Sequence, residues 1–150
     1  MKVKLEVSRE RLAEVREMLR DHGIETDDEA ELVLMERSRP ADVLTVREPG
    51  SGAYNVLRAE EIILMESFGH TVEVHTAHGV YQVTEPLYKL AALLGPDQFL
   101  RVSNSVVVAK GKVRRIAPTL SMKFVLTMEG GRTVDVTRSY YYIFKDAFGI

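Results

Sequence analysis

Apolar and polar side chains alternate along most of the chain, in short runs separated by turn residues. Between residues 71 and 76, for example, Val72 and Val74 are flanked by threonine, glutamate and histidine. A period of two residues is typical of β-strands with one solvent-facing side. The short connections between the runs, such as Pro49-Gly50-Ser51-Gly52, favour antiparallel neighbours. The pattern predicts strands at residues 43–47, 54–58, 62–66, 71–76, 80–83, 120–128 and 134–136.

One stretch, residues 99–108, has a polar centre between two apolar runs. Its last three residues, Val106 to Val108, are uninterrupted β-branched side chains, which indicate a strand covered on both faces. Ser103, Asn104 and Ser105 precede them, and such short polar side chains favour turns. Either these residues only make the turn into a core strand, or they also contact a ligand, and this segment alone does not decide between the two.

Two short helices are predicted among these strands. Residues 87–94 place leucines and an alanine on one face, with Glu85-Pro86 before them and Gly95-Pro96 after them. The segment after Thr137 is predicted to form a last helix with Thr137 as its N-cap. The fold class is therefore mainly β, an antiparallel domain with one or two short helices.

The first 42 residues follow a different pattern. Alternation at residues 3–7 predicts a strand, Ser8 is a candidate N-cap for a helix over residues 10–21, and residues 32–35 predict a second strand. This small β-α-β unit can bury little surface, so we expect it to pack on the main domain or on a second copy of itself. The sequence Ser38-Arg39-Pro40 marks the boundary, which predicts an N-terminal unit at 1–42 and a main domain at 43–150.

Composition narrows the functional classes. The 150 residues include no cysteine, which excludes disulfides and thiolate metal sites and fits a reducing cytosol. Neither a signal-peptide core nor a long apolar run is present, so we expect a soluble, cytoplasmic protein.

The net charge of −2 is unevenly distributed. Residues 1–44 carry 8 basic and 12 acidic side chains, whereas residues 45–150 carry 12 basic and 10 acidic ones. The positive excess clusters between Arg101 and Arg115. Such a cluster is either a polyanion-binding surface or a solvated strand edge that lysines protect from aggregation.

No arrangement typical of an enzyme is recognisable. Ser103 and Ser105 lack the glycines of a nucleophile elbow, and His75 and His78 flank a turn without a zinc-protease pattern. The acidic run Asp27-Asp28-Glu29 lacks the spacing of a calcium loop. We therefore predict no catalysis, no metal, no cofactor and no small-molecule substrate.

Groups suited to nucleic acid are present. Arg138 could donate two hydrogen bonds to the O6 and N7 atoms of guanine, and Asn104 could pair with adenine or a backbone group. His70 lies in a turn from which its imidazole could project. Each residue also has a structural explanation, since turns favour asparagine and helix starts tolerate arginine.

Four separated segments together resemble a known family. They are Glu61-Ile62-Ile63-Leu64-Met65-Glu66-Ser67, residues 70–76, residues 99–108 and Val136-Thr137-Arg138-Ser139-Tyr140. In this order and spacing they resemble the LytTR family of DNA-binding domains, over about residues 43–148. The resemblance implies an elongated all-β domain that places loops, rather than a recognition helix, into successive major grooves of bent DNA.

The resemblance also implies roles for individual residues. His70, Asn104 and Arg138 match the base-contacting positions, while Arg101, Ser105 and Ser139 match phosphate-contacting or loop-supporting positions. Ala109 departs from the family, which often has asparagine there. From the basic cluster, we add Lys110, Lys112 and Arg114 as phosphate contacts.

The function expected is that of a sequence-specific transcriptional regulator. The 42 residues before the main domain are too few for the receiver domain usual in the family, so we expect activity to be set in another way. Expected partners are double-stranded DNA with repeated half-sites, a second copy of the chain and, as in some short members, an inhibitory membrane protein. The alternative is a protein-interaction or regulatory module that keeps the fold without binding DNA.

Overall fold

The computed structural model describes residues 1–36 and 40–150. Of the boundary predicted at Ser38-Arg39-Pro40, only Pro40 lies within the described residues. Contacts divide the chain into two compact units, one ending at residue 38 and the other beginning at residue 39.

The N-terminal unit is the predicted β-α-β arrangement with one added strand. Parallel pairing joins its three strands in the order β2-β1-β3, and the two-residue strand β2 was not predicted. Val3 is the one buried hydrophobic residue among residues 1–36, as expected for so small a unit. The elements are β1 (Lys2–Glu6), α1 (Arg9–Asp21), β2 (Glu25–Thr26) and β3 (Leu32–Met35).

The second unit contains two antiparallel sheets. The large sheet has the order β5-β4-β8-β7-β6-β10-β9, and the small sheet has the order β11-β12-β13. Mainly antiparallel β structure with short helices confirms the predicted fold class. The elements are β4 (Val43–Arg47), β5 (Tyr54–Arg58), β6 (Ile62–Phe68), β7 (Thr71–Thr76), β8 (Val80–Val83), α2 (Leu87–Leu94), β9 (Phe99–Arg101), β10 (Val106–Ala109), β11 (Val113–Pro118), β12 (Phe124–Met128), β13 (Thr133–Val136) and α3 (Tyr141–Phe148).

Strand β10 lies between two hydrophobic clusters. Val107 and Ala109 pack in the cluster that includes the leucines of α2, whereas Val106 and Val108 pack with the small sheet and α3. Val107 and Val108 are each 0% exposed. This confirms the prediction of a strand covered on both faces.

Ser8 occupies the predicted N-cap position of α1, whereas Thr137 precedes the 3-10 turn Arg138–Tyr140 and α3 begins only after Tyr140. Neither side chain makes a capping hydrogen bond. The backbone N–H of Ser8 instead donates to Glu36 Oε1 at 2.6 Å, which lowers the pKa of that carboxyl. The backbone N–H and the hydroxyl of Thr137 both donate to Val102 O, at 2.9 and 3.5 Å. Because both donors of Thr137 are directed to Val102, the chain after β13 is tied to the loop before β10.

The strand predicted at residues 120–128 is too long, because β12 begins at Phe124. The backbone N–H of Thr119 donates to Lys123 O at 2.9 Å, which closes residues 119–123 into a loop. Met122 adopts a left-handed conformation with φ of 55°, which alternating strand residues do not have. The local hydrogen bonds of Thr119 thus overrule the alternating pattern.

None of the helices within residues 1–36 and 40–150 has the length and hydrophobicity of a membrane-spanning segment.

Candidate nucleic-acid interface

The three side chains predicted to contact bases lie on three different loops. His70 is in the turn between β6 and β7, Asn104 lies between β9 and β10, and Arg138 begins the 3-10 turn after β13. All three residues are exposed. Neither His70 nor Arg138 has a side-chain hydrogen bond or ion pair with any other described residue, so both polar groups are available to a ligand.

Backbone hydrogen bonds join these loops to one another. The N–H of Ser67 donates to Ser105 O at 2.8 Å, which ties the end of β6 to the loop of Asn104. The N–H of Thr137 donates to Val102 O on the other side of the same loop. The Asn104 loop therefore lies between the other two.

Asn104 is held by two side chains. The hydroxyl of Tyr140 donates to Asn104 Oδ1 at 3.3 Å, from a position 36 residues along the chain. The guanidinium of Arg101 donates to Ser103 O at 3.1 Å and to Asn104 O at 2.5 Å. Because Oδ1 accepts the bond from Tyr140, the amide Nδ2 remains available as a donor.

The two serines of this loop also bond to each other. The backbone N–H of Ser105 donates to Ser103 Oγ at 3.2 Å, and the two hydroxyl oxygens are 3.5 Å apart. Ser139, the residue after Arg138, is exposed and has no side-chain bond to another described residue. Phosphate contact by Ser105 or Ser139 stays a prediction.

Arg101 also connects the Asn104 loop to the turn of His70. Arg101 and His70 line one open cavity of about 340 Å³, together with Glu85 and Tyr88. The guanidinium of Arg101 bonds to carbonyl oxygens and makes no ion pair with a carboxylate among the described residues.

The other predicted phosphate contacts lie at the opposite end of β10. Val106 pairs with Glu66 near the turn of His70, whereas Lys110 follows Ala109 at the far end of the strand. At about 3.3 Å per residue, the backbones of Val106 and Lys110 are about 13 Å apart. The cationic cluster is therefore continuous in sequence but divided in space.

At this far end the cations have partners. Lys112 Nζ lies 3.2 Å from Glu129, and Arg114 bonds to the same carboxylate at 2.6 Å. These two hydrogen bonds, from Lys112 and then Arg114, lower the pKa of Glu129. The Nζ of Lys110 lies over the ring of Phe148, 5.4 Å from its centroid. Part of the predicted phosphate-binding charge is thus already compensated.

A further cation joins the two sheets. Arg132, next to the turn between β12 and β13, pairs with Glu66 of β6, and its guanidinium lies 3.0 Å from His75 Nε2. Burial, followed by the charge of Arg132, lowers the pKa of His75, although Glu73 at 3.4 Å acts in the opposite direction. Arg132 therefore links β6 and β7 to the small sheet.

Over the part of the chain that the structure describes, no group of three or more His, Asp or Glu side chains could hold a metal ion.

The contacts of Tyr140 with Asn104 and of Arg132 with Glu66 were not predicted from the sequence. Tyr140 lies two positions after Arg138 in a run of three tyrosines, and no local pattern marks it as a partner of Asn104. The hydrogen bond between Thr137 and Val102 joins the two segments that carry these side chains. Arg132 lies beside a glycine turn, where an exposed cation is ordinary.

A β domain with exposed polar side chains on adjoining loops belongs to the class of proteins that recognise ligands through loops on a rigid scaffold. Comparison with known proteins specifies this class. A family model described as the LytTr DNA-binding domain matches residues 52–149. Because this match spans more than half of the chain, the chain belongs to the LytTR family of DNA-binding domains, which is a family of transcriptional regulators rather than a class of enzymes.

Individual relatives agree with this membership. The transcriptional regulatory protein LytR of Staphylococcus aureus (strain N315) is 23% identical over 96 residues, which are 64% of this chain and 39% of that protein. The CO-responsive transcriptional regulator RcoM of Rhodospirillum rubrum is 45% identical over 53 residues, 35% of this chain and 22% of RcoM. The chain thus spans less than half the length of these curated relatives.

A solved structure shares the fold. A LytTr DNA-binding domain from Bacillus cereus superimposes with a TM-score of 0.68 and 22% sequence identity, covering 73% of this chain and 99% of that one. The resemblance found in the sequence is confirmed for the family and the fold.

Proposed function

We propose that this chain is a transcriptional regulator that binds double-stranded DNA sequence-specifically through the major groove. The observation that carries the proposal is the joining of three exposed loops, where the Asn104 loop is bonded to the end of β6 and to Thr137. Loops fixed to one another can present His70, Asn104 and Arg138 together. The major groove distinguishes all four base pairs by their donors and acceptors, which suits these side chains.

Each of the three side chains has a distinct role in this proposal. Arg138 donates to O6 and N7 of a guanine, and Asn104 uses its free Nδ2 at an adenine or a backbone group. His70 reads a base from the neighbouring turn. Support comes from the lack of competing partners for Arg138 and His70 among the described residues.

Phosphate contacts are proposed in two groups. The first group lies in or beside the loops of His70, Asn104 and Arg138, which we call the reading loops, and it contacts the nearest phosphates. Its members are Arg101, Ser105 and Ser139. Lys110, Lys112 and Arg114, about one strand length away, contact flanking backbone. Since Lys112 and Arg114 share Glu129, we expect this second group to add a small, salt-sensitive increment to affinity.

The N-terminal unit, residues 1–42 in our division, is proposed to form a homodimer that matches repeated half-sites. Its support is the low burial of a unit with Val3 as its buried hydrophobic residue and with Leu32 and Leu34 exposed on β3. Sedimentation of residues 43–150 tests this proposal, because an unchanged oligomeric state would contradict it.

We further propose a cytoplasmic location and an inhibitory membrane protein as a partner, testable by co-purification from membranes.

The decisive experiment begins with selection of bound fragments from random duplexes. Arg138→Ala is then compared with Lys112→Ala on the selected site and on a site with the contacted guanine replaced. We expect Arg138→Ala to cost about 1–3 kcal/mol on the selected site and little on the replaced one. Lys112→Ala should weaken both sites equally.

Two results would count against the proposal. Equal losses on both sites for Arg138→Ala would remove its role as a reader of bases. Failure to select any duplex with a folded protein would favour a protein-interaction module that keeps the fold without binding DNA.

A further inference from the structure

The loop between β11 and β12 holds an apolar side chain entirely in solvent. Leu120 has a relative exposure of 108%, the largest of any exposed large hydrophobic residue among those described. Single exposed apolar residues are ordinary on protein surfaces. This one differs because the loop around it fixes its position.

The loop is closed by Thr119. Its backbone N–H and its hydroxyl both donate to Lys123 O, at 2.9 and 3.1 Å, and its hydroxyl oxygen accepts the N–H of Ser121 at 3.4 Å. Met122 is the one non-glycine residue in the described part of the chain with a positive φ, at 55°. The left-handed conformation costs free energy in a non-glycine residue, so the loop maintains a strained backbone that leaves Leu120 at its tip.

This loop lies at the same end of the small sheet as Arg138. Phe124, at the end of the loop, pairs with Pro118 on one side and with Val136 on the other. Arg138 follows Val136 by two residues. The ring of Tyr141, just after the turn of Arg138, stacks on Phe124 with centroids 4.8 Å apart.

The loop also has a cation suited to DNA. Lys123 is exposed and makes no ion pair with a described residue. An apolar tip beside an available lysine matches the edge of a major groove, where the thymine methyl is the apolar group and phosphates border the groove.

We propose that Leu120 contacts the C5-methyl of a thymine next to the base pair of Arg138, and that Lys123 binds the adjoining phosphate. The proposal rests on the proposed function, since it extends the same DNA interface by a fourth loop. It adds a specificity-determining residue in a segment that the sequence pattern assigned to a strand.

The test uses the selected duplex and replaces its thymines one at a time with deoxyuridine, which lacks the methyl group. We expect Leu120→Ala to weaken binding about three- to tenfold, as for the loss of a methylene-scale contact. At one position, deoxyuridine should weaken the wild type by the same factor and the Leu120→Ala variant no further. Leu120→Met, which stays apolar, should keep most of the affinity.

The matched control is Leu93→Ala, which truncates a leucine that is 45% exposed on α2 and should leave affinity unchanged. Lys123→Ala should weaken all duplexes alike and reduce the salt dependence by about one phosphate contact. Both loop variants should unfold at the temperature of the wild type, because their side chains are exposed.

The failures of the two proposals are distinguishable. If Arg138→Ala loses its preference as expected while Leu120→Ala binds like the wild type, only the inference about Leu120 is overturned. Equal losses for Leu120→Ala on every thymine and deoxyuridine duplex would also overturn it, since the contact is then not to a methyl group. If the folded wild type binds no duplex, both proposals fall.

Discussion

Cationic side chains near the two ends of strand β10 have different hydrogen-bond partners. Near the end that adjoins the loops of His70, Asn104 and Arg138, Arg101 bonds to the carbonyl oxygens of Ser103 and Asn104. At the other end, Lys112 and Arg114 share the carboxylate of Glu129. Carbonyl oxygens orient a guanidinium without cancelling its charge, whereas a carboxylate does both.

This difference shows why a count of charges along the sequence is a poor guide to a DNA-binding surface. The densest basic cluster in the chain is the partly neutralised end. At the end with fewer cations, Arg101 and Arg138 have no carboxylate partner among the described residues, so neither of these two charges is compensated. Local pairing, as well as local density, then determines how strongly each end attracts phosphates.

The largest effect that separates the two ends is expected from Arg101→Ala. The variant loses hydrogen bonds from a charged donor to two carbonyls, which are worth about 1.5–3 kcal/mol each. It also loosens the Asn104 loop. Affinity for the selected duplex, measured by fluorescence anisotropy, should fall about 10- to 100-fold, which corresponds to the free energy of about one such bond. Arg115→Ala, at an exposed residue of β11, is the control and should reduce affinity far less. Equal losses would mean that Arg101 acts only through its charge.

A smaller and more specific effect is expected from Tyr140→Phe. This change removes only the hydroxyl that donates to Asn104 Oδ1. One neutral hydrogen bond contributes about 0.5–1.5 kcal/mol, so binding should weaken about two- to tenfold. The loss should be concentrated at the base pair that Asn104 contacts, as binding to single-substituted duplexes would show. Tyr142→Phe alters an exposed tyrosine and serves as the control; if it weakens binding equally, the contact with Asn104 is not responsible.

At the far end, Glu129→Gln should act in the opposite direction. Without the carboxylate, Lys112 and Arg114 are available to flanking phosphates, and an exposed ion pair of this kind contributes little. We expect affinity to rise about twofold at low salt and its salt dependence to become steeper. Glu48→Gln, which removes one carboxylate from the β4–β5 hairpin, controls for net charge. A gain of the same size in both variants would show that pairing at Glu129 is irrelevant.

The smallest effect concerns the link between the sheets. Because burial lowers the pKa of His75 in the folded protein, the unfolded chain binds a proton more readily. The free energy of unfolding should therefore decrease as pH falls below about 6.5 and through the folded-state pKa of His75. Urea denaturation at pH 7.5 and 5.5 measures this decrease, and His75→Gln should reduce it. An unchanged pH dependence in His75→Gln would assign the effect to other groups.

Much of the domain could be predicted because its strands are short and their alternation is local. That pattern predicts the strands at residues 43–47, 54–58 and 71–76 with the bounds that the structure shows. The pattern failed at Leu120 to Lys123, where hydrogen bonds from Thr119 close a loop instead. Alternation describes burial, and it carries no information about a threonine hydroxyl that bonds to the backbone.

The site could be predicted only in part, for a different reason. The loops of His70, Asn104 and Arg138 were recognised from separated sequence segments, and the structure exposes all three residues. The bond between Tyr140 and Asn104 spans 36 residues and depends on how two sheets meet. The separation in space of the basic residues between Arg101 and Arg115 also depends on how the two sheets meet. Strands β10 and β11 belong to different sheets, although only residues 110–112 separate them in sequence.

The burial of β10 on both faces has a consequence for the thermodynamics of recognition. The Asn104 loop begins and ends beside Val102 and Val106, which are both buried. Most of the conformational entropy of this loop is therefore lost when the chain folds, and little remains to be lost on contact with a duplex. Adjustment during complex formation would then fall mainly on the DNA, whose stiffness at each base step becomes part of the specificity.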